Sequence, residues 1–192
     1  MTERERMESG LWYDANFDEG LRLERERAGD LAFEFNSTPP GDTERRAELL
    51  SRLIGTLGEG VEVLSPLYVD YGRNVSIGDG SFVNHGAYLM DGAAITIGAH
   101  VFIGPNFGAY TAQHPLVARE RNTGLERALP IVIGDDCWIG ANVSIMPGVT
   151  IGAGCVVGAG SLVTKDVPAG WLAMGSPCKP VREISDEDLI AP

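Results

Sequence analysis

Two hydrophobic rhythms divide the chain. From Asp18 to Asn36, Leu21, Ala28, Leu31 and Phe35 recur at spacings of seven, three and four, which sets them on one helical face. Asn36-Ser37-Thr38-Pro39-Pro40-Gly41 ends that helix, since two prolines and a glycine are poorly suited to continuing it. Asp42 or Thr43 then offers an N-cap, and Leu50, Leu53, Ile54 and Leu57 repeat the stripe. Residues 1–60 are expected to form a helical segment that needs another surface to bury its apolar face.

From about Val61 the period changes. Ile133, Ile139, Ile145, Ile151, Val157 and Val163 fall at a strict spacing of six, and Gly134, Gly140, Gly152 and Gly158 directly follow four of them. Four residues beyond each aliphatic stands a smaller inward residue: Cys137, Val143, Val149, Cys155, Ser161 and Val167. An aliphatic with a turn-permissive neighbour describes short strands joined by tight turns, three hexads to one triangular coil. Ile133 is expected to stack beneath Ile151, Ile139 beneath Val157 and Ile145 beneath Val163, on a parallel ladder spaced ~4.8 Å.

Earlier coils follow from Ile77, Val83 and Leu89 in one phase and Ile97, Ile103 and Ala109 in another, with a slip of two residues near Met90-Asp91-Gly92. Between Tyr110 and Pro130 the repeat stops. That polar segment is expected to leave the coil at one corner as a loop, and long loops on compact scaffolds are usually functional or disordered. The fold class is an all-β solenoid, a parallel β-helix with an amino-terminal helical segment. The expected boundaries are 1–60 for the helices, 61–184 for the β-helix with its loop at 110–130, and 185–192 for a tail.

Composition narrows the function classes. A net charge of -12 over 192 residues argues against nucleic acid, which needs a basic surface. No apolar run approaches the ~18–20 residues that span a bilayer, and the first six residues lack the apolar core of a secretory signal, so a cytoplasmic protein without membrane contact is expected. Cys137, Cys155 and Cys178 are odd in number and lack Cys-x-x-Cys spacing, which indicates neither a disulfide framework nor a zinc knuckle. Cys137 and Cys155 occupy inward slots and read as core rather than as nucleophiles. Only two lysines stand beside thirteen arginines and 27 acidic residues, a balance that suits a salt-adapted source.

Of the three histidines, His85 and His100 fall at outward turns of hexads, and His114 alone lies in the loop. Imidazole suits a base acting near neutral pH, and Pro115 biases His114 toward extended backbone. On these grounds alone His114 is either a solvated loop residue or a base.

Further stretches set the histidine in context. Gly10-Leu11-Trp12-Tyr13, Asp70-Tyr71-Gly72, Thr111-Ala112-Gln113-His114-Pro115, Trp138-Ile139-Gly140, Gly158-Ala159-Gly160-Ser161, Thr164-Lys165-Asp166 and Gly175-Ser176-Pro177-Cys178-Lys179 occur in order along nearly the whole chain. Taken together, the chain resembles the sugar O-acetyltransferases of the hexapeptide-repeat superfamily, the maltose and galactoside acetyltransferase group. The resemblance implies a left-handed β-helix, an exception to the right-handed crossover rule. It also implies a homotrimer with active sites between subunits, acetyl-CoA as co-substrate along the coils, and a sugar acceptor near the loop.

Under that resemblance His114 is the general base of direct transfer in a ternary complex. Asp70, Asn84 and Asp91, with Tyr13, Asp14 and Asn16 of the amino-terminal segment, bind the acceptor, since each sugar hydroxyl must be paired once desolvated. Corner chemistry is the alternative for such Asp and Asn residues, and for Asp91 beside Gly92 the two readings weigh equally. Glu126 either holds the tautomer of His114, meets the sugar, or is a solvated loop charge. The cofactor groove takes Trp138, Ala141, Ala159, Thr164, Lys165, Lys179 and Arg182, with the Ala141 amide as an oxyanion donor and the late basic residues facing the polyanionic cofactor. Lys179 is followed by Pro180 where many relatives have an aliphatic residue, which leaves the path of the tail open. Serine and antibiotic acceptors are alternatives. A γ-class carbonic anhydrase-like zinc hydratase is a rival from another reaction class, although histidine spacings of 15 and 14 supply no close pair. No metal is expected.

Overall fold

The structure, a computed structural model, describes residues 1–190. Helix α1 (Glu3–Glu8) opens on a reciprocal capping box between Thr2 and Glu5. Helix α2 (Glu19–Ser37) starts where the Asp18 carboxylate accepts from the Leu21 amide at 2.8 Å, and α3 (Thr43–Leu53) where Asp42 accepts from Arg45 at 3.2 Å. The buried face of α2 is Leu21, Ala28, Ala32 and Phe35, while Leu31, expected on the stripe, is only half-buried.

The last part of the expected stripe belongs elsewhere. Ile54 caps α3 with extended backbone, and Thr56–Leu57 is already the first rung of the solenoid, paired in parallel with Ser76 and Ile77. Gly55 explains the early exit, because any Cβ there would lie 2.0 Å from the Arg73 carbonyl. The coil therefore begins a few residues before the boundary expected at 61.

Three sheets line the solenoid. One contains Thr56–Leu57, Val75–Ile77, Ile95–Ile97, Ile131–Ile133 and Thr150–Ile151, each pairing with its neighbour in parallel. A second runs from Glu62–Val63 through Phe82–Val83, Phe102–Ile103, Trp138–Ile139 and Val156–Val157 to Trp171–Gly175, where Cys178–Glu183 closes it antiparallel. The third holds Leu67–Val69, Ala87–Met90, Gly108–Tyr110, Ser144–Ile145 and Leu162–Val163. Ile133 pairs with Ile151, Ile139 with Val157 and Ile145 with Val163, the stacking expected from the hexads.

The phase slip has a twin. Val69 pairs with Leu89 and Ile77 with Ile97, so the corner at Tyr71-Gly72 is widened by two residues just as the corner at Asp91-Gly92 is. Asp91, fully buried, joins the two corners. Its Oδ1 accepts from the Asp70 and Tyr71 amides at 3.1 and 2.8 Å and its Oδ2 from the Asn74 amide at 3.1 Å.

The column of aliphatics is continuous with Phe35, Leu49, Leu50 and Leu53 of the helices, so the helical segment covers the first coils and shares their core. A second, small cluster joins Met7, Tyr13, Ala15 and Leu21 to Tyr71 at a coil corner and to Ala128 of the segment between Tyr110 and Pro130. That cluster positions the site.

Candidate active site

The segment between Tyr110 and Pro130 is a built element. Ala112–Gln113 pairs antiparallel with Ala128 and Arg127, and Leu125–Ala128 pairs on its other edge with Asp14 and Tyr13 of the amino-terminal segment. A short helix, α4 (Ala118–Arg121), crosses the tip, where Arg121 Nη1 donates to the Pro115 and Leu116 carbonyls at 3.0 and 3.1 Å. The result is a three-stranded sheet made of two strands of this segment and one of the amino-terminal segment.

His114 follows the first of these strands and lines an open cleft of about 730 Å³ with Trp12, Pro115, Leu116 and Glu120. Its Nδ1 lies 3.0 Å from the Leu125 carbonyl. A carbonyl only accepts, so Nδ1 carries the proton and Nε2 is left as the basic nitrogen of the neutral ring. The tautomer is thus held by Leu125, where Glu126 was one expectation. Glu126 stands on the other side, its Oε2 3.8 Å from His114 Nε2. Its Oε1 accepts from the hydroxyl of Tyr13, which is fully buried.

Tyr13 is pushed far above the ordinary phenol range by burial first and by the Glu126 charge second, so it stays a donor. Asp70 is close enough to add to that shift and is itself raised by burial, an effect that its hydrogen bond from Tyr88 Oη at 2.6 Å partly offsets. Arg25 donates to Tyr71 Oη at 2.8 Å and to the Ala15 carbonyl at 2.7 Å, bracing the same wall. Tyr13, Asp70, Glu126 and His114 therefore share one neighbourhood.

Other expected acceptor contacts are used up locally. Asp91 is a correction: its carboxylate is consumed by backbone amides and has no exposed face to offer a sugar. Asp14 Oδ1 accepts from the Asn16 and Phe17 amides at 3.2 and 2.9 Å, an Asx turn that leaves the Asn16 side chain in solvent. Asn84 sits at a coil corner with its Oδ1 on the His85 amide at 2.8 Å, and among the described residues it makes no hydrogen bond to the His114 group.

Tyr88, Arg25, Tyr71 and Gly92 were missed by sequence reading. Tyr88 falls at a regular strand position of its coil, and Tyr71 stands in the widened corner between Val69 and Ile77. At Gly92 any Cβ would meet the Tyr13 hydroxyl and the Ala128 Cβ at 3.2 Å and Glu126 Oε1 at 3.5 Å. The glycine gives that pair its space.

Trp138 is 59% exposed on the outer face of the second sheet, in register with Phe102 and Val156. Ala141 and Ala159 occupy the same corner one coil apart, where the Gly160 amide donates to the Ala141 carbonyl at 2.8 Å. Elsewhere an aspartate one coil on caps the corner amide: Asp135 Oδ1 accepts from Ala99 at 2.8 Å and Asp79 Oδ1 from Glu59 at 2.7 Å. Ala159 has no acceptor in its side chain to cap Ala141 in this way.

Thr164 and Lys165 are exposed at the turn after Val163, and Lys179 and Arg182 lie on the strand that closes the second sheet. The basic trio is not uniform. Arg182 forms a two-pronged ion pair with Asp188 at 2.8 and 2.6 Å, whereas neither lysine forms an ion pair among the described residues. Asp188 is held down to about 2 by that guanidinium. Burial pushes the Cys137 thiol up to about 11 and raises Cys178, which suits packing rather than nucleophilic roles. Three or more His, Cys, Asp or Glu side chains nowhere converge to hold a metal ion among the described residues.

Comparison with known proteins gives a consistent picture. Residues 6–58 match the maltose acetyltransferase hexapeptide capping motif, and residues 130–165 match the bacterial transferase hexapeptide, six repeats. A Staphylococcus aureus protein named as an acetyltransferase is 54% identical over 98% of this chain and 94% of its own length. The crystal structure of a maltose O-acetyltransferase from Clostridium difficile superposes with a TM-score of 0.94 at 43% identity, covering 97% of this chain and 99% of the other. A hexapeptide-repeat acetyltransferase from Vibrio cholerae, complexed with acetyl-CoA, superposes at 0.89 with 41% identity over 97% of this chain and all of its own, 100%.

Proposed function

We propose that this chain, which belongs to the hexapeptide-repeat acetyltransferase family, moves the acetyl group of acetyl-CoA directly to a sugar hydroxyl with His114 as general base. One observation carries the reading: the Leu125 carbonyl accepts a hydrogen bond from Nδ1–H, which leaves Nε2 as the acceptor of a ring that lines the cleft. As the sugar oxygen bonds to the thioester carbonyl carbon, its proton passes to Nε2. The C–S bond then breaks and the departing sulfur takes that proton, leaving an ester and a free thiol. The three thiols are buried and remote from this role in character, which favours direct transfer over an acyl-cysteine route.

Acetyl-CoA is assigned to the corner of Ala141 and Ala159, where the uncapped Ala141 amide is free to meet the thioester oxygen and small side chains admit a ligand. Trp138 flanks the pantetheine, Thr164 borders it, and Lys165 and Lys179 face the phosphates. Arg182 joins them once Asp188 yields. Asp70 and Glu126 form the acceptor wall, with the buried Tyr13 holding Glu126 from behind and Asn16 and Asn84 at its rim. A trimer completes the site: Leu116 and Phe17, 95% and 72% exposed on the loop assembly, are the apolar surface that a second copy covers. The likeness to maltose O-acetyltransferase supports a sugar acceptor, and the free cysteines fit a reducing, cytoplasmic setting.

Thiol release measured with maltose, glucose, galactosides, serine and chloramphenicol tests the acceptor class. Sugars alone are expected to give turnover, and preference for serine or chloramphenicol overturns the sugar reading. His114→Ala is expected to lower kcat by about a thousandfold while acetyl-CoA affinity stays within about twofold. Retained turnover would sink the base assignment.

A further inference from the structure

Where His114 lines the cleft, its Nε2 faces Glu126 just behind, two acceptors with no donor between them. His114 Nε2 is the unprotonated nitrogen, ionised Glu126 has only acceptor oxygens, and Nε2 and Oε2 stand 3.8 Å apart. Among the described residues nothing donates to Oε2. The arrangement is held rather than accidental, because the Glu126 side chain is only 17% exposed and its Oε1 is tied to the buried Tyr13 hydroxyl. Gly92 leaves the space in which that tie is made.

Two lone pairs facing one another at this separation are relieved by a ligand that brings two donors to neighbouring positions. A lone alcohol supplies one. We infer that the acceptor site is built for a pair of neighbouring hydroxyls, of which one gives its proton to His114 and is acetylated while the other donates to Glu126 Oε2. Tyr13 is the positioning residue that turns Oε2 toward the ring. This rests on His114 being the base, and it deepens the sugar reading into a demand for a diol: the enzyme reads the hydroxyl beside the one it esterifies.

The test crosses a substrate deletion with a protein substitution. Methyl glucopyranoside and its complete set of monodeoxy derivatives are assayed by thiol release with the unaltered enzyme, with Glu126→Gln and with Tyr13→Phe, and the acetylated position is read by NMR. With the unaltered enzyme, removing the hydroxyl next to the acetylated one is expected to lower kcat/KM by between about tenfold and a hundredfold. In Glu126→Gln that penalty shrinks to within about twofold, and in Tyr13→Phe it is intermediate.

An equal penalty in all three enzymes overturns the inference. So does a uniform fall in kcat for every acceptor in Glu126→Gln, which is the signature of a carboxylate acting on the imidazolium alone. Absence of turnover with every sugar defeats the acceptor reading itself, and the inference with it. Circular dichroism and acetyl-CoA binding confirm that each variant is folded, and Tyr13→Phe, a near-isosteric change, keeps the question answerable where Glu126→Gln is unstable.

Discussion

Asp91 shows how a carboxylate at a corner of an acetyltransferase solenoid can be structural. Three backbone amides converge on it from the preceding widened corner, and it is completely shielded from water. Asp91→Ala strands those amides, at about 1–3 kcal/mol for each that stays buried. The variant is expected to lose at least about 3 kcal/mol of unfolding free energy in urea, while the KM for the sugar in its folded fraction holds. A large KM effect at unchanged stability would return Asp91 to the acceptor site. Sequence could not separate the two roles, because Asp beside Gly suits both a corner and a binding wall. His114 was legible, since it alone among the histidines falls where the repeat breaks. Glu126 was visible too, but which of its neighbours it serves depends on a tyrosine 113 residues away.

At the scale of the coil, the hexads announced the stacking of Ile133, Ile139 and Ile145 because an aliphatic every sixth residue has few other ways to be buried. The glycine that follows four of the six aliphatics has a different reason from the turn freedom expected of it. At Gly140 a Cβ would lie 2.6 Å from the Ala159 amide nitrogen and 2.9 Å from the Val157 carbonyl, so the next coil leaves no room. The left-handed corners lie elsewhere and tolerate larger residues: His100 at φ 53° and Asn142 at φ 57°. These two constraints predict opposite outcomes. Gly140→Ala is expected to destabilise the fold by about 1–3 kcal/mol, whereas His100→Gly is expected to be neutral or up to about 1 kcal/mol stabilising; thermal melts of the two variants decide it. What went unseen in the period was the matching widened corner at Tyr71-Gly72, where Val69 and Ile77 stand eight apart just as Leu89 and Ile97 do.

For the whole molecule the dominant fact is self-repulsion. Twenty-seven acidic residues against fifteen basic ones leave a charge of -12, which salt screens over a Debye length of about 10 Å at 0.1 M. Many of the arginines are engaged in exposed pairs such as Arg22–Glu26 and Arg45–Glu48, each worth little, so screening them forfeits less than it relieves. The melting temperature is expected to climb as sodium chloride rises from 0.05 to about 1 M, and a flat or falling curve removes the idea of salt adaptation. Neither charge nor hexads could foretell the bridge that joins the first strand to the loop, because Tyr13 meets Glu126 only after the helices and the coils are both in place. That bridge gives the enzyme a built-in interlock. The cluster of Met7, Tyr13, Ala15 and Leu21 is separate from the column inside the coils, so local opening there removes the support of Glu126 beside His114, and the solenoid can remain wound while the catalyst is switched off.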